Sequence, residues 1–115
     1  MTNTDYSKLS DEQINQIATC KEFKLKGWKL SDDGKSFCID SFTDEYQSVV
    51  DYCNDWSAMG PLISKYKISI VFNEGKASAV GDGLIVFADN PKRAAAIVFL
   101  EMGECYEYRY IFSGA

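Results

Sequence analysis

The chain has 115 residues, 46% of them hydrophobic and 25% charged, which is the size and composition of one globular domain rather than a disordered segment. A net charge of −5 argues against a general nucleic-acid binder, and the absence of histidine removes the commonest acid–base side chain of enzymes. No run reaches the ~18 apolar residues of a membrane span, and the polar N-terminus has no export signal, so a cytoplasmic protein without a membrane is expected.

The N-terminal residues 1–8 are a polar lead-in. Ser10 and Gln13 are spaced as a capping box, and Leu9 and Ile14 occupy the hydrophobic-staple positions around them. Ile14, Ile17 and Ala18 then share a face, which predicts a short amphipathic helix from Asp11 to Cys20. Between Lys21 and Lys29, Phe23 and Leu25 alternate with lysines as in a half-exposed strand. The turn residues Ser31-Asp32-Asp33-Gly34 and a return strand over 35–42 complete a predicted hairpin, with Phe37 and Ile39 on one face. The lysines have two readings, a nucleic-acid patch or the charged guard of an edge strand. The acidity of the whole chain favours the second.

Residues 44–55 are acidic and irregular, with Val49 and Val50 as anchors. Trp56, Met59, Ile63 and Tyr66 then fall at helical spacing, predicting a helix over about 56–66. Pro61 costs ~3 kcal/mol in a helix interior, so a separate first turn or a kink is expected there. Strands are predicted at 68–72, 76–80 and 84–88, separated by Asn73-Glu74-Gly75 and Gly81-Asp82-Gly83. Asn90 can cap a helix and Pro91 fits its first position. From Ala94 to Leu100 every side chain is apolar, so this helix, about 91–102, must be covered on several sides, by a sheet and by other chain or a second subunit. Period two over 104–112 predicts a last strand.

Two blocks resemble a known family. Asp51-Tyr52-Cys53-Asn54-Asp55-Trp56, followed by Met59-Gly60-Pro61-Leu62-Ile63 and Ile68-Ser69, is similar to a signature of the NinX-like small phage proteins. The block from Asn90 to Leu100 resembles that family's second signature, and the opening Asp5-Tyr6-Ser7-Lys8-Leu9-Ser10-Asp11 is similar too. The resemblance spans most of 51–102 and the first helix; the hairpin over 21–42 and the tail after Glu104 stand outside it. It implies a phage or prophage origin and an α-β-α sandwich domain with no assigned activity, and it carries over no catalytic residue.

Little in the chain points to catalysis. A cysteine nucleophile would need activation by lysine or a helix N-terminus, and Cys20 sits at the wrong helix end. Paired carboxylates such as Asp32/Asp33 and Asp51/Asp55 stand in turn-like segments rather than apolar frames. There is no phosphate loop, dinucleotide fingerprint or calcium loop. Cys20, Cys38, Cys53 and Cys105 form no CxxC pair, and without histidine a zinc site would need all four. Free thiols are expected, as are the absence of any cofactor or metal and of enzymatic activity.

The charge map suggests two candidate sites. Seven carboxylates and one lysine lie between Asp32 and Asp55, net −6, whereas Lys21–Lys29 is net +3. Asp40, Asp44, Glu45, Asp51 and Asp55, with Trp56 directly after them, form a candidate protein-binding surface. The alternative is ordinary solubilising acidity. The second candidate is Asn90, Lys92 and Arg93, two cations in a first helical turn where the dipole disfavours them, as in an anion site. Its alternative is neutralisation by the protein's own acids. The expectation is thus a single α+β domain, an antiparallel sheet carrying the buried 91–102 helix with further helices at 11–20 and 56–66. It is expected to act as a small phage accessory protein that binds a host or phage protein, as an inhibitor of a nucleic-acid-binding or defence factor, with a homodimer open. The second choice is a binder of small anionic ligands or nucleotides.

Overall fold

A computed structural model describes residues 5–39 and 45–102. Among them are a short 3-10 turn (Tyr6–Lys8), three helices, α1 (Asp11–Glu22), α2 (Trp56–Tyr66) and α3 (Pro91–Glu101), and six strands. The strands form two antiparallel three-stranded sheets. The first is β1 (Lys29–Leu30), β2 (Ser36–Cys38) and β3 (Tyr46–Ser48); the second is β4 (Ser69–Asn73), β5 (Lys76–Gly81) and β6 (Leu84–Ala88). The expected α+β class is therefore the observed one.

The starts of the helices are written locally. Ser10 Oγ accepts from Gln13 N–H while Gln13 Oε1 accepts from Ser10 N–H, closing the capping box of α1. Asp55 caps α2 through Ser57 N–H, and Asn90 caps α3 through Lys92 N–H. Every residue from Ala94 to Leu100 is buried. One side of α3 lies on β4, β5 and β6, and the other meets α1 and α2. Among the described residues the layering is sheet, then α3, then the other two helices, which is why α3 is apolar all round. This differs from the α-β-α sandwich that the resemblance implies, in which the sheet lies between helices.

Three parts of the chain fold differently from their local pattern. The strand expected over 21–29 does not form, because α1 continues to Glu22. Lys24 then takes a left-handed backbone (φ 58°), and Leu25 N–H donates to Cys20 C=O at 2.9 Å. This is a helix-ending motif with its hydrophobic contact, since Leu25 and Cys20 pack together beside Phe37. The hairpin survives as the shorter β1–β2 pair, Leu30 opposite Phe37. Phe37 is fully buried but Ile39, beyond the strand, is exposed. Residues 46–48, expected to be irregular, add β3 to that pair. Val49 packs on the small cluster around Phe37, and Val50 on the main core, as expected of anchors.

α2 passes through Pro61 as one helix rather than as two segments. Pro61 and Ser57 are exposed, so the carbonyl that loses its helical donor faces water. In the second sheet the register is a simple meander, Ile70 opposite Ala79 and Ala79 opposite Val86. Its strands lie within a residue of the expected ones. The strand expected at 104–112 lies outside the described residues.

Two outcomes test this core. Replacing Ile97 with Ala should lower unfolding free energy by ~2–5 kcal/mol in a urea titration; a loss under about half a kcal/mol would mean α3 is not the core. The described cysteines, Cys20, Cys38 and Cys53, are free, and burial pushes the Cys20 thiol up to about 11 and the Cys53 thiol up to about 12. Iodoacetamide at about pH 8 should therefore leave both unlabelled in the native protein and modify both in urea, as read by peptide mass.

Candidate functional site

The three helices run parallel, and this follows from contacts at both ends. At the N-terminal end Arg93, in the first turn of α3, sends Nη1 to Asp11 Oδ1 in the first turn of α1 (2.6 Å). Its Nη2 donates to the carbonyls of Ser7 (3.0 Å) and Leu9 (2.6 Å), just before α1. Asn90 Nδ2 donates to Cys53 C=O at 2.6 Å, just before α2. At the other end Lys21, in the last turn of α1, donates to the Phe99 carbonyl (2.6 Å) and to that of Met102 at the end of α3. Tyr66, ending α2, packs against Phe99 in a tilted contact with ring centroids 4.8 Å apart, and its hydroxyl donates to Glu22 at 2.7 Å.

The N-terminal end gathers the candidates of both sequence segments. Lys92 Nζ lies 4.6 Å from the centroid of the Trp56 ring, so a residue of the anion candidate sits on the anchor of the protein-binding candidate. Trp56 is 47% exposed. Beside it Asp55 is exposed, and its carboxyl is held below the usual carboxylate range by the Ser57 hydroxyl and then by the Ser57 N–H. Asp51 accepts from Asn15 Nδ2 at 2.8 Å and from Asn54 Nδ2 at 3.1 Å. Asp51, Asp55, Trp56, Asn90, Lys92 and Arg93 thus belong to one end of the molecule. Glu45 is exposed at the edge of the first sheet and is not part of this group. Asp40 and Asp44 lie outside the described residues.

The groups at this end are already engaged in the fold. Arg93 is a clamp between α3 and the α1 entry, and the Asn90 side chain uses both its oxygen and its nitrogen. The neutralising acid is Asp11, not the neighbouring Asp89. What remains open to a partner is the indole of Trp56, the ammonium of Lys92 and the outward oxygens of Asp51 and Asp55.

The pattern of the sequence did not single out Asn15, Gln16 and Thr19, which are buried polar residues of α1. Asn15 Oδ1 accepts from Cys53 N–H (3.0 Å), Thr19 Oγ1 from Val50 N–H (2.9 Å), and Gln16 Nε2 donates to Gly34 C=O (2.9 Å). Asn15 and Thr19 fix the segment that carries Asp51 and Asp55, and Gln16 fixes the turn between β1 and β2. Polar residues interleaved with Ile14, Ile17 and Ala18 read as the water-facing side of an amphipathic helix, so no local signal marks them as buried.

Elsewhere, an open cleft of about 370 Å³ is lined by Glu22, Phe23, Tyr52, Pro61, Leu62 and Lys65 among others. Burial, with Glu22 and then Tyr66 adding to it, pushes the Tyr52 hydroxyl up to about 12, so it stays neutral. Glu22 is shared by Lys65 and Tyr66. Among the described residues no three carboxylates or thiols are placed to hold a metal ion, and no helix is long and apolar enough to cross a membrane.

The profile of the family described as bacteriophage P22 NinX matches residues 5–103. The fold is similar to that of a phage protein from Bacillus cereus ATCC 14579, known from a 2.0 Å crystal structure, at a TM-score of 0.56 and 13% identity, over 84% of this chain and 93% of that one. No curated protein matches.

The clamp has a measurable signature. Asp11→Asn and Arg93→Gln should each destabilise the protein, by about 1–2 kcal/mol for a partly exposed pair that also satisfies two carbonyls. Their double mutant should cost clearly less than the sum in a denaturation cycle. Additive losses would mean the pair does not couple α1 to α3.

Proposed function

The chain belongs to the bacteriophage P22 NinX family, and from that premise we propose that it is a small phage accessory protein that acts by binding another protein rather than by catalysis. The contact is the surface where the three helix N-termini meet, and the partner presents a basic site, as a nucleic-acid-binding or defence factor of the host would. Its place of action is then the cytoplasm of the infected cell. The observation that carries this reading is the half-exposed Trp56, with the Lys92 ammonium over its ring and the exposed carboxylates of Asp51 and Asp55 in the segment that leads into it. Tryptophan in such a setting offers a large apolar area with little side-chain entropy left to lose, which is the usual make-up of a binding hot spot. The exposed acids of this end, Asp51 and Asp55, speed association with a basic surface and make it fall with salt.

The second reading, a small anion held by Asn90, Lys92 and Arg93, asks for groups that the fold already uses. Arg93 would have to leave Asp11 and two carbonyls. The amides of 90–93 should therefore ignore millimolar phosphate in NMR titrations, and chemical-shift changes there would favour the anion reading instead.

Capture from host lysate with the tagged protein identifies the partner. With that partner purified, Trp56→Ala should speed dissociation at least about tenfold. Asp51→Asn together with Asp55→Ser, which keeps a capping oxygen, should slow association and flatten its salt dependence. Dissociation unchanged by Trp56→Ala, in a variant whose melt matches the parent, would place the contact elsewhere.

A further inference from the structure

The second sheet has a face that α3 does not use. Strand alternation sends Ile70, Ala77, Ala79, Gly81, Val86 and Ala88 toward α3, where the space at Gly81 is filled by Val98 and Ile68. It sends Val71, Ser78, Val80, Ile85 and Phe87 the other way, and there Val71 is 51%, Ile85 55% and Phe87 69% exposed. The register puts Val71, Ser78 and Phe87 in one row across the strands, and Ser69, Val80 and Ile85 in the next. The serines are low points between larger apolar side chains.

We infer that this face docks a second copy of the chain, sheet against sheet, about a twofold axis that runs between the two sheets, parallel to both and across the strands. Charge selects this occupant. Each copy carries −5, so two copies meet at low cost only where neither presents acids. The three strands contain no carboxylate, and their single charged residue is Lys76 at the start of β5. A basic partner gains nothing from such a face.

The proposed axis also sets one pair of opposite charges across its rim. It lays β5 over its own copy in the opposite direction. Lys76 then comes over Asp82, just beyond the end of β5, and symmetry repeats the pair. Among the described residues neither Lys76 nor Asp82 has an ion-pair partner within its own chain. The same axis exchanges the two outward rows, so Ser78 of one copy faces Val80 of the other, Val71 faces Ser69 and Phe87 faces Ile85, setting small side chains against larger ones on β4 and β5.

The size is that of a modest interface. At these exposures the four apolar side chains leave on the order of 300 Å² open, the size at which a monomer's largest patch is often functional. Two copies bury twice that before the serines, Lys76 and the turns are counted, which puts the pair at the low end of specific interfaces, roughly 1,000–1,200 Å². The expected dissociation constant is micromolar. The face is turned away from α3 and the other helices, so the dimer carries two copies of the Trp56 surface and engages a repeated partner twice.

Sedimentation velocity of the full chain over about 1 μM to 1 mM decides the matter, a range chosen to bracket a micromolar constant. The mass should rise from 12.9 kDa to twice that value. Phe87→Lys, at an exposed position, should keep the melt and weaken dimerisation at least about tenfold. Lys76→Glu should weaken it too, and adding Asp82→Lys should restore it. Asp82 has φ 50°, a backbone that Lys24 and Lys67 already adopt in this chain at 58° and 56°. A monomer at every concentration overturns the proposal and leaves the chain after residue 102, or another protein, to cover the face. A dimer indifferent to Phe87→Lys and to the charge swap overturns it as well, since its contact is then elsewhere.

Discussion

Helices α1 and α3 lie side by side pointing the same way, and most of the architecture depends on how that arrangement is tolerated. Parallel helix dipoles repel, with partial positive charge crowded at one end and partial negative charge at the other. At the C-terminal end a cation of α1 lies on the carbonyls of α3, and at the N-terminal end an acid of α1 offsets the partial positive charge while a cation of α3 ties it in place. Arg93 reaches the carboxylate and carbonyls at the entry of α1, and Lys21 reaches the last carbonyls of α3. Lys21 also lies over the Phe99 ring, 4.7 Å from its centroid, so the same ammonium closes the core at that end. With α2 running the same way, three N-termini meet and their acids, Asp11 and Asp55 among them, offset the crowding.

This changes the meaning of the two charge anomalies in the sequence. Two cations in the first turn of α3 break the dipole rule when that helix is viewed alone. Beside α1, Arg93 is instead a cross-link to a neighbour's acid, and Lys92 is a cation on an indole. Part of the acidity between Asp32 and Asp55 is likewise local. Asp33 accepts from Ser31 and Lys35 within its turn, and Asp55 caps a helix. The acids open to a partner are fewer than the composition suggests, which concentrates the proposed contact on the neighbourhood of Trp56.

What was legible in the sequence was what neighbouring residues decide. The capping box at Ser10, the Asn90-Pro91 start, the apolar run to Leu100 and the meander from Ser69 to Ala88 all rest on interactions within a few positions. The end of α1 was misread because alternation of Phe23 and Leu25 with lysines fits a strand as well as it fits a helix cap followed by a turn. Only the burial of Leu25 against Cys20 and Phe37 decides between them. β3 was missed because it is three residues long and is held by its pairing with β2. The joining of the two candidate sites was out of reach, since Trp56 and Lys92 meet through tertiary packing that no spacing rule encodes.

The clamp joins positions 82 apart in the chain, and the Lys21 contacts join positions 78 and 81 apart. Such contacts raise contact order and are made late, because the intervening loop must close before they contribute. The meander and α3 are contiguous in sequence and need no such closure. During synthesis α1 leaves the ribosome well before α3 exists, with Ile14 and Ile17 still uncovered. The order of assembly therefore runs against the order of translation: the second sheet and α3 form the seed, and the first helix to be made is among the last to dock.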